Sequence, residues 1–590
     1  MERISIDHVK EYIQGLSKYE NRLAGSERER EAAGYIKHLL REFGYEDIRE
    51  SEFQIYGWVP KKCIVEVVSP VKRTIEAALL PYSNTVSLES TLVRINNIED
   101  KKTSSKKGMI GLAPWGQHLY LSAMRTYYVA RMQKLSAVLI GSPDTGDLRK
   151  VVVVEVGGEM DLPLISISKE DMEFLDRLLQ DNDVRVRIET QVDINPNAKS
   201  MNVEVVVQGD GSLQHEVIVG AHYDAYFKGA ADNAAPAAIV LELARLLKKH
   251  VSENTIRRTV RFLFFGAEEC GSTSYYYWVN GSRAYVNANK DIVSRTGIML
   301  SMDSVGFEAP NYVATTLDLE EFAKGVKVLM KNPPDVLYYG PSAYGSDHWF
   351  FETSGVSVIY GVSFPSPFYH TQRDSFENLN MRSVQFHCEF MREAMQYLCN
   401  VELLPIDIFK PLERLAAIVT QYLQVRDLPF DLSVLLRHIE RMSAERRSYE
   451  KAIKTVVQSG NVKRIEDINQ FIVSTVNRYN RTIGWVWRRA APSDVSYLSK
   501  LELMADYSEI GTAISALRKM PIANLDSETV TRYKTQSDNP FNWTDVHAPL
   551  EKLEEERSRV FRIVDEEISQ LSQFFSETYQ KLKEFSKSAQ

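Results

Sequence analysis

The stretch from Ala221 to Ala234, AHYDAYFKGAADNA, sets His222, Asp224 and Asp232 within fourteen positions. Imidazole and carboxylate are the donors that hold zinc. The stretch follows an apolar run, Val217 to Gly220, and leads into an amphipathic pattern, Ala234 to Leu247. A strand that hands polar residues to a helix start is where open α/β sheets bind ligands. His222 and Asp232 are therefore candidate metal ligands. Similar groups recur downstream: Glu268–Glu269 after RFLFF, Asp303 after GIMLSM and His370 in FYHTQRD. Each alone has an ordinary explanation. A lone aspartate before a helix usually caps it, and a Glu–Glu pair is usually a solvated turn. Together, two imidazoles and three carboxylates converging on one sheet edge make an N/O site suited to zinc. They are too many for one tetrahedral ion. They suit two ions about 3.5–4 Å apart that share a carboxylate.

Positioning these groups requires parallel strands. From Met201 the hydrophobic pattern alternates strand and helix. Strands are expected at Asn202–Val207, Glu216–Gly220, Thr259–Phe265, Gly297–Met302, Tyr312–Thr315 and Val356–Tyr360. Helices are expected at Ala234–Lys248, Ser272–Val279, Leu319–Met330 and Ser383–Leu398. Such alternation predicts a mixed, mostly parallel sheet covered by helices on both faces. Residues 4–43 read as two helices, the second capped by Ser26 with Glu29 three residues on. Residues 55–195 differ. Short β-rich runs there (Cys63–Val68, Gly108–Ala113, Ala137–Ile140, Val151–Val156, Val184–Ile188) form an inserted module without ligand-like spacing. After Leu404 only helical patterns remain: Phe409–Leu423, Leu432–Lys451, Val462–Arg478, Val495–Arg518 and Leu550–Phe585, with a polar connection at Thr535–Ala548. The domains are accordingly 1–54 with 196–402, the insert 55–195, and an all-helical region 403–590.

Composition narrows the class. With 590 residues, three or four domains are expected at roughly 150 residues each. A net charge of −8 argues against nucleic-acid binding, which needs a basic stripe. The run KKTSSKK at Lys101–Lys107 reads as a solvated loop. Four cysteines without a CxxC pair suggest no disulfide framework, and a reducing compartment. The charged, amphipathic N-terminus lacks a signal-peptide core, and no apolar run of about 18 residues spans a membrane. The expectation is a cytoplasmic protein that contacts neither membrane nor nucleic acid.

The ordered motifs resemble the co-catalytic di-zinc aminopeptidase family, which includes glutamate carboxypeptidases and transferrin receptors. They are His222–Asp224, Asp232–Asn233–Ala234, Gly266–Ala267–Glu268–Glu269, Asp303, Ser346–Asp347–His348, and Tyr369–His370–Thr371 with Asp374. Arg22 and Ala24–Gly25–Ser26 also match. The resemblance implies that His222 and Asp303 hold one zinc, that Glu269 and His370 hold the other, and that Asp232 bridges. Cobalt or manganese could replace zinc. It implies that Asp224 orients His222, that Glu268 is the general base toward a bridging water, and that Tyr369 donates to the oxyanion. The implied activity is an aminopeptidase acting on peptides. A carboxypeptidase or amidohydrolase is the alternative, and a non-catalytic receptor-like protein the more distant one. Val356–Pro367 has no arginine to hold an acidic substrate. The insert resembles a protease-associated domain, and the last helices stand where the family's dimerisation domain does, which implies a homodimer. Two features depart from the family: Ala235–Pro236 where the motif usually continues Ser–Gly, and Cys270 after Glu269, read as a small packing residue.

Overall fold

The computed structural model describes residues 1–95, 106–116, 118–154, 159–272, 278–330, 336–339, 345–424, 428–483, 503–518 and 547–588. The described residues divide into two units, Met1–Leu404 and Pro405–Gln590.

The first unit opens with helices α1 (Ile6–Ser17) and α2 (Glu27–Glu42). Ser26 caps α2 by accepting from the Glu29 N–H at 3.0 Å. The Glu29 carboxylate reaches back to the Gly25 N–H, one residue before the position a capping box would use. Next come β1 (Arg49–Ser69), β2 (Arg73–Ile75), β3 (Ala77–Leu79), β4 (Ser87–Arg94), β5 (Ile110–Pro114), α3 (Leu119–Met132), β6 (Ala137–Gly141), β7 (Leu164–Ile167), α4 (Lys169–Asp181) and β8 (Arg185–Val207). Then follow β9 (Glu216–His222), α5 (Ala235–Val251), β10 (Val260–Phe265), α6 (Asn280–Ala288), α7 (Lys290–Arg295), β11 (Thr296–Met302), β12 (Asn311–Thr315), α8 (Glu320–Leu329), β13 (Val336–Tyr339), α9 (His348–Thr353), β14 (Ser357–Ser363) and α10 (Met381–Leu398).

At the centre, β14, β11, β9 and β10 lie side by side and run parallel. Every residue of these four strands is buried, as a parallel sheet covered on both faces requires. Helix α5 is apolar almost throughout and buried at most positions, so it is a core helix. Pro236 occupies its first turn, where the missing N–H breaks no bond. Antiparallel β8 and β12 flank the parallel block, giving a mixed α/β sheet.

Two expectations are corrected here. The run Cys63–Val68 is only part of one long strand, β1, and Val184–Ile188 and Asn202–Val207 are one strand, β8. These pair antiparallel from Arg49↔Glu204 to Ser69↔Arg185, with irregularities at Ile55/Gly57, Pro60/Lys62 and Val67/Ser69. The insert thus grows from the main sheet as a continuous two-stranded ribbon. Its tip carries β4, β5, β6 and β7 in parallel order, with α3 packed on a core that includes Tyr127, Val138, Ile140 and Leu164, and α4 on a second core through Leu175. Of the strand expected at Val151–Val156, the described part, Val151–Val154, is irregular chain: Val152 and Val154 fill the first core, Val151 and Val153 the second. The helix expected at Ser272–Val279 and the run Lys101–Lys107 fall largely outside the described residues.

The second unit is helical: α11 (Phe409–Leu423), α12 (Ser433–Ala444), α13 (Arg446–Ser459), α14 (Val462–Ile483), α15 (Leu503–Arg518) and α16 (His547–Ser588). The single helix expected at Leu432–Lys451 is two, broken at Glu445. The Thr535–Ala548 connection lies almost wholly outside the described residues. Val560, Val564, Leu571, Phe575 and Leu582 of α16 are buried, following the spacing the sequence shows.

Candidate metal centre

The four parallel strands point their C-terminal ends to one edge, and the chemistry arrives there. His222 is the last residue of β9. Glu268 and Glu269 follow β10, Asp303 follows β11, and His370 lies beyond β14. Strand β9 sits between β10 and β11, so the chain leaves it on opposite sides. That reversal opens the crevice where such sheets bind ligands.

Two buried donor clusters form. His222, Glu268 and Asp303 make one; Asp232, Glu269 and His370 make the other. Within the first, His222 Nε2 is 3.4 Å from Asp303 Oδ1 and 3.8 Å from Glu268 Oε2. Within the second, His370 Nε2 is 3.0 Å from Glu269 Oε2. Asp232 faces both: its Oδ1 lies 3.6 Å from His222 Nε2 and its Oδ2 lies 3.4 Å from His370 Nε2. Five of these residues are the ligands named from the sequence, brought together with Glu268 among them.

The ring orientations follow from backbone acceptors. His222 Nδ1 is 3.2 Å from the Asp224 carbonyl, and His370 Nδ1 is 2.9 Å from the Val151 carbonyl. A carbonyl only accepts, so each Nδ1 carries a proton and each Nε2 is the ring atom turned toward the crevice and its carboxylates. The Asp224 side chain has a further task that the sequence does not reveal. Its Oδ1 and Oδ2 accept the N–H groups of Glu268 (2.9 Å) and Glu269 (3.0 Å), which fixes the Glu–Glu turn. Asp374 does the same for the Asp232 loop, accepting from the Ala231 and Asp232 N–H groups at 2.7 and 3.0 Å. Arg22 is fully buried and donates to the carbonyls of Tyr223, Lys228 and Gly229. Gly229 has φ +50°, and a Cβ there would meet the Asp232 carbonyl oxygen at 2.3 Å, so the loop needs glycine.

Three non-glycine residues with left-handed φ adjoin the donors: Ala267, Ser304 and His370 itself. Such backbone strain gathers at functional sites. Tyr369 stacks on His370 at 3.7 Å, and its hydroxyl is 3.0 Å from that of Tyr120 in α3. Asp347 and His348 are buried at the start of α9, and burial, more than neighbouring charge, pushes the Asp347 carboxyl up to about 7. Sequence reading names Arg22 and Asp374 without a role. It gives no sign of Tyr120 or Val151, which reach the site only through tertiary contact.

The electrostatics are those of a crowded acidic pocket. Burial raises the Glu268 carboxyl well above the usual range, with His222 opposing. Burial also lifts Glu269 to about 7 against the pull of His370. Burial opposes the charge on His370, but Glu269 and Asp232 outweigh it and push the imidazole up to about 10. His222 is likewise raised, chiefly by Glu268 and Asp303 against its burial. Glu269 Oε1 is buried with no hydrogen-bond partner among the described residues. Four carboxylates, two oriented imidazoles and an orphaned oxygen are a donor set for two divalent cations, and hard oxygen with imidazole nitrogen suits zinc.

Comparison with known proteins agrees with this geometry. Residues 202–395 match the sequence model described as Peptidase family M28. The aminopeptidase YwaD of Bacillus subtilis is 27% identical over 280 residues, covering 44% of this chain and 57% of that protein. The probable leucine aminopeptidase 2 of Aspergillus fumigatus is 24% identical over 328 residues, covering 53% and 61%. The chain therefore spans about three-fifths of the length of these curated relatives. The solved structure of BSAP, a zinc aminopeptidase from Bacillus subtilis, superposes with a TM-score of 0.54 at 22% identity. That match covers 68% of this chain and 96% of that one, and shows a shared fold.

Proposed function

We propose that this chain, whose residues 202–395 match the model of peptidase family M28, is a two-metal exopeptidase that releases N-terminal residues from peptides. The observation that carries the reading is Asp232, which turns one carboxylate oxygen toward each histidine and joins the two donor clusters. His222 and Asp303 would hold one ion, Glu269 and His370 the other, with Asp232 shared. Zinc bound there would supply Lewis acidity that lowers the pKa of water toward about 7 and polarises the scissile carbonyl.

The protein's own groups do the rest. Glu268 sits beside the ligands with its carboxyl held at high proton affinity by burial. It takes the proton of the attacking water and returns it to the leaving amine. Asp224 keeps Glu268 and Glu269 in place through their N–H groups. The Tyr369 hydroxyl donates to the oxyanion as it develops. The pocket's excess of carboxylates favours a protonated α-amine over a terminal carboxylate. Arg22 is committed to three carbonyls and cannot bind an acidic terminus.

The test is a metal-replete assay against amino-acid anilides and their N-blocked equivalents. Cleavage of free anilides is expected; cleavage of only the blocked set would overturn the aminopeptidase reading. Glu268→Gln should keep both metals and lose turnover by about 10²–10⁴-fold. Near-normal activity in that variant would remove Glu268 from its role.

Three further readings belong here. The insert acts as a protease-associated-like wall of the cleft, supported by the contacts of Val151 with His370. The helices of residues 403–590 mediate a homodimer, for which a monomer in light scattering would be contrary evidence. The cytoplasm is the compartment, supported by four unpaired cysteines; a stable disulfide in protein purified from its native cell would contradict it. Among the described residues no helix is long and apolar enough to cross a membrane.

A further inference from the structure

The inserted module reaches the donor site through two of its segments. Val151 pairs reciprocally with His370: its carbonyl accepts from Nδ1, and its N–H donates to the His370 carbonyl, both at 2.9 Å. The Arg149 N–H donates to Gln372 Oε1 at 3.1 Å, and Gln372 Nε2 donates to the Asp147 carbonyl. Residues 147–151 are thereby locked in register with residues 370–372. The same module carries α3, whose first turn is pinned by the Trp115 indole N–H on the Leu119 carbonyl at 2.9 Å. Tyr120 stands in that turn, with its hydroxyl 3.0 Å from the Tyr369 hydroxyl.

We propose that Tyr120 is a positioning residue of the active site, supplied by the insert, which donates to the Tyr369 hydroxyl and so leaves the Tyr369 proton aimed at the substrate oxyanion. This rests on the hydrolytic reading given above. A phenol has one proton and two lone pairs. If Tyr369 donated to Tyr120, it would have nothing left for the substrate. With Tyr120 as donor, the order Tyr120 to Tyr369 to oxyanion satisfies every group, and each bond polarises the next. Burial, with the charges of Glu269, Glu268 and Asp232 adding to it and the Tyr369 hydrogen bond opposing, keeps the Tyr120 phenol protonated. Packing alone does not call for the hydroxyl. The Tyr120 ring already meets the Trp278 indole at 6.1 Å, a contact phenylalanine would keep. The Tyr369 ring is held separately by His370, Phe364 and Phe307.

The test uses the full chain loaded with zinc and compares Tyr120→Phe, Tyr369→Phe and the double variant, with Tyr128→Phe on exposed α3 surface as control. Two readouts are taken: kcat and KM on leucine p-nitroanilide, and affinity for a leucine-derived aminophosphonate, which mimics the tetrahedral intermediate, by calorimetry. Tyr120→Phe should lower kcat by about 10–100-fold with KM nearly unchanged, as loss of an outer partner does. It should weaken the phosphonate by a similar factor while zinc content and melting temperature stay at wild-type values. The double variant should be no worse than Tyr369→Phe alone, because the two hydroxyls act in series. Wild-type kcat and phosphonate affinity in Tyr120→Phe, or a double variant that loses the product of the two single effects, overturns the proposal. Were the wild-type chain to leave every anilide uncleaved, the hydrolytic reading would fall. The phosphonate affinities would still decide whether Tyr120 acts through Tyr369.

Discussion

Asp224 shows how one residue can serve two donor clusters. Its main-chain carbonyl faces His222, and both side-chain oxygens hold the N–H groups of Glu268 and Glu269. Asparagine at this position would present an NH₂ group to one of those N–H donors and displace the turn. Asp224→Asn should therefore cost about 10–100-fold in metal affinity or turnover, read by chelator competition alongside kcat. An unchanged affinity with unchanged rate would show that the turn holds without it. At this scale the sequence is most legible where chemistry restricts residue type: the two histidines and the carboxylates at strand ends stand out. It is least legible where the partner is backbone. The carbonyl of Val151 orients His370, and no side-chain type records that.

At the scale of elements, hydrophobic pattern identifies the buried strands well and their limits poorly. The domain boundaries read at residues 54–55 and 195–196 fall inside β1 and β8, which run on through Gly57, Pro60 and Pro196 because a two-stranded ribbon absorbs such residues at bulges. The valines of Val151–Val154 read as strand, since an apolar run cannot itself distinguish a ladder from irregular chain that fills a core. Helix α10 offers a test of burial. His387 is fully buried, with neither ring nitrogen hydrogen-bonded among the described residues, and burial holds its imidazole down at about 3. The unfolded chain binds that proton near the ordinary value of about 6.5. The group's contribution is therefore complete above pH 6.5 and is lost as pH falls from there toward 3. Across that window it should steepen the loss of stability by up to about 1.4 kcal/mol per pH unit. His387→Leu should flatten the urea-midpoint profile between pH 6.5 and 4. Parallel profiles for the two proteins would contradict the assignment.

At the scale of the whole molecule, the α/β body and the helical end are both visible in the pattern of the chain, because the switch from alternating elements to helices alone is abrupt near Leu404. The path of the insert is not visible, since it depends on which strands pair over long sequence distances. Crowding four carboxylates into one buried pocket makes the body dependent on bound cations. Removing metal with a chelator should lower its melting temperature. Returning zinc at about 100 times Kd should restore about 2.7 kcal/mol per site, with calorimetry as the check. An identical melting curve with and without metal would mean that the pocket tolerates its own charge.

The ribbon of β1 and β8 has a mechanical consequence. A module joined by a loose linker can swing; one carried on a paired ribbon behaves as a beam. Here the beam is rooted in the main sheet and fastened again at its far side by the bonds of residues 147–151 to residues 370–372. A beam held at both ends bows far less than one held only at its root. The place of residues 147–151 against residues 370–372 is thus held by the ribbon as well as by their own bonds. Cutting the outer fastening would leave the module held at its root alone, free to bow away from residues 370–372.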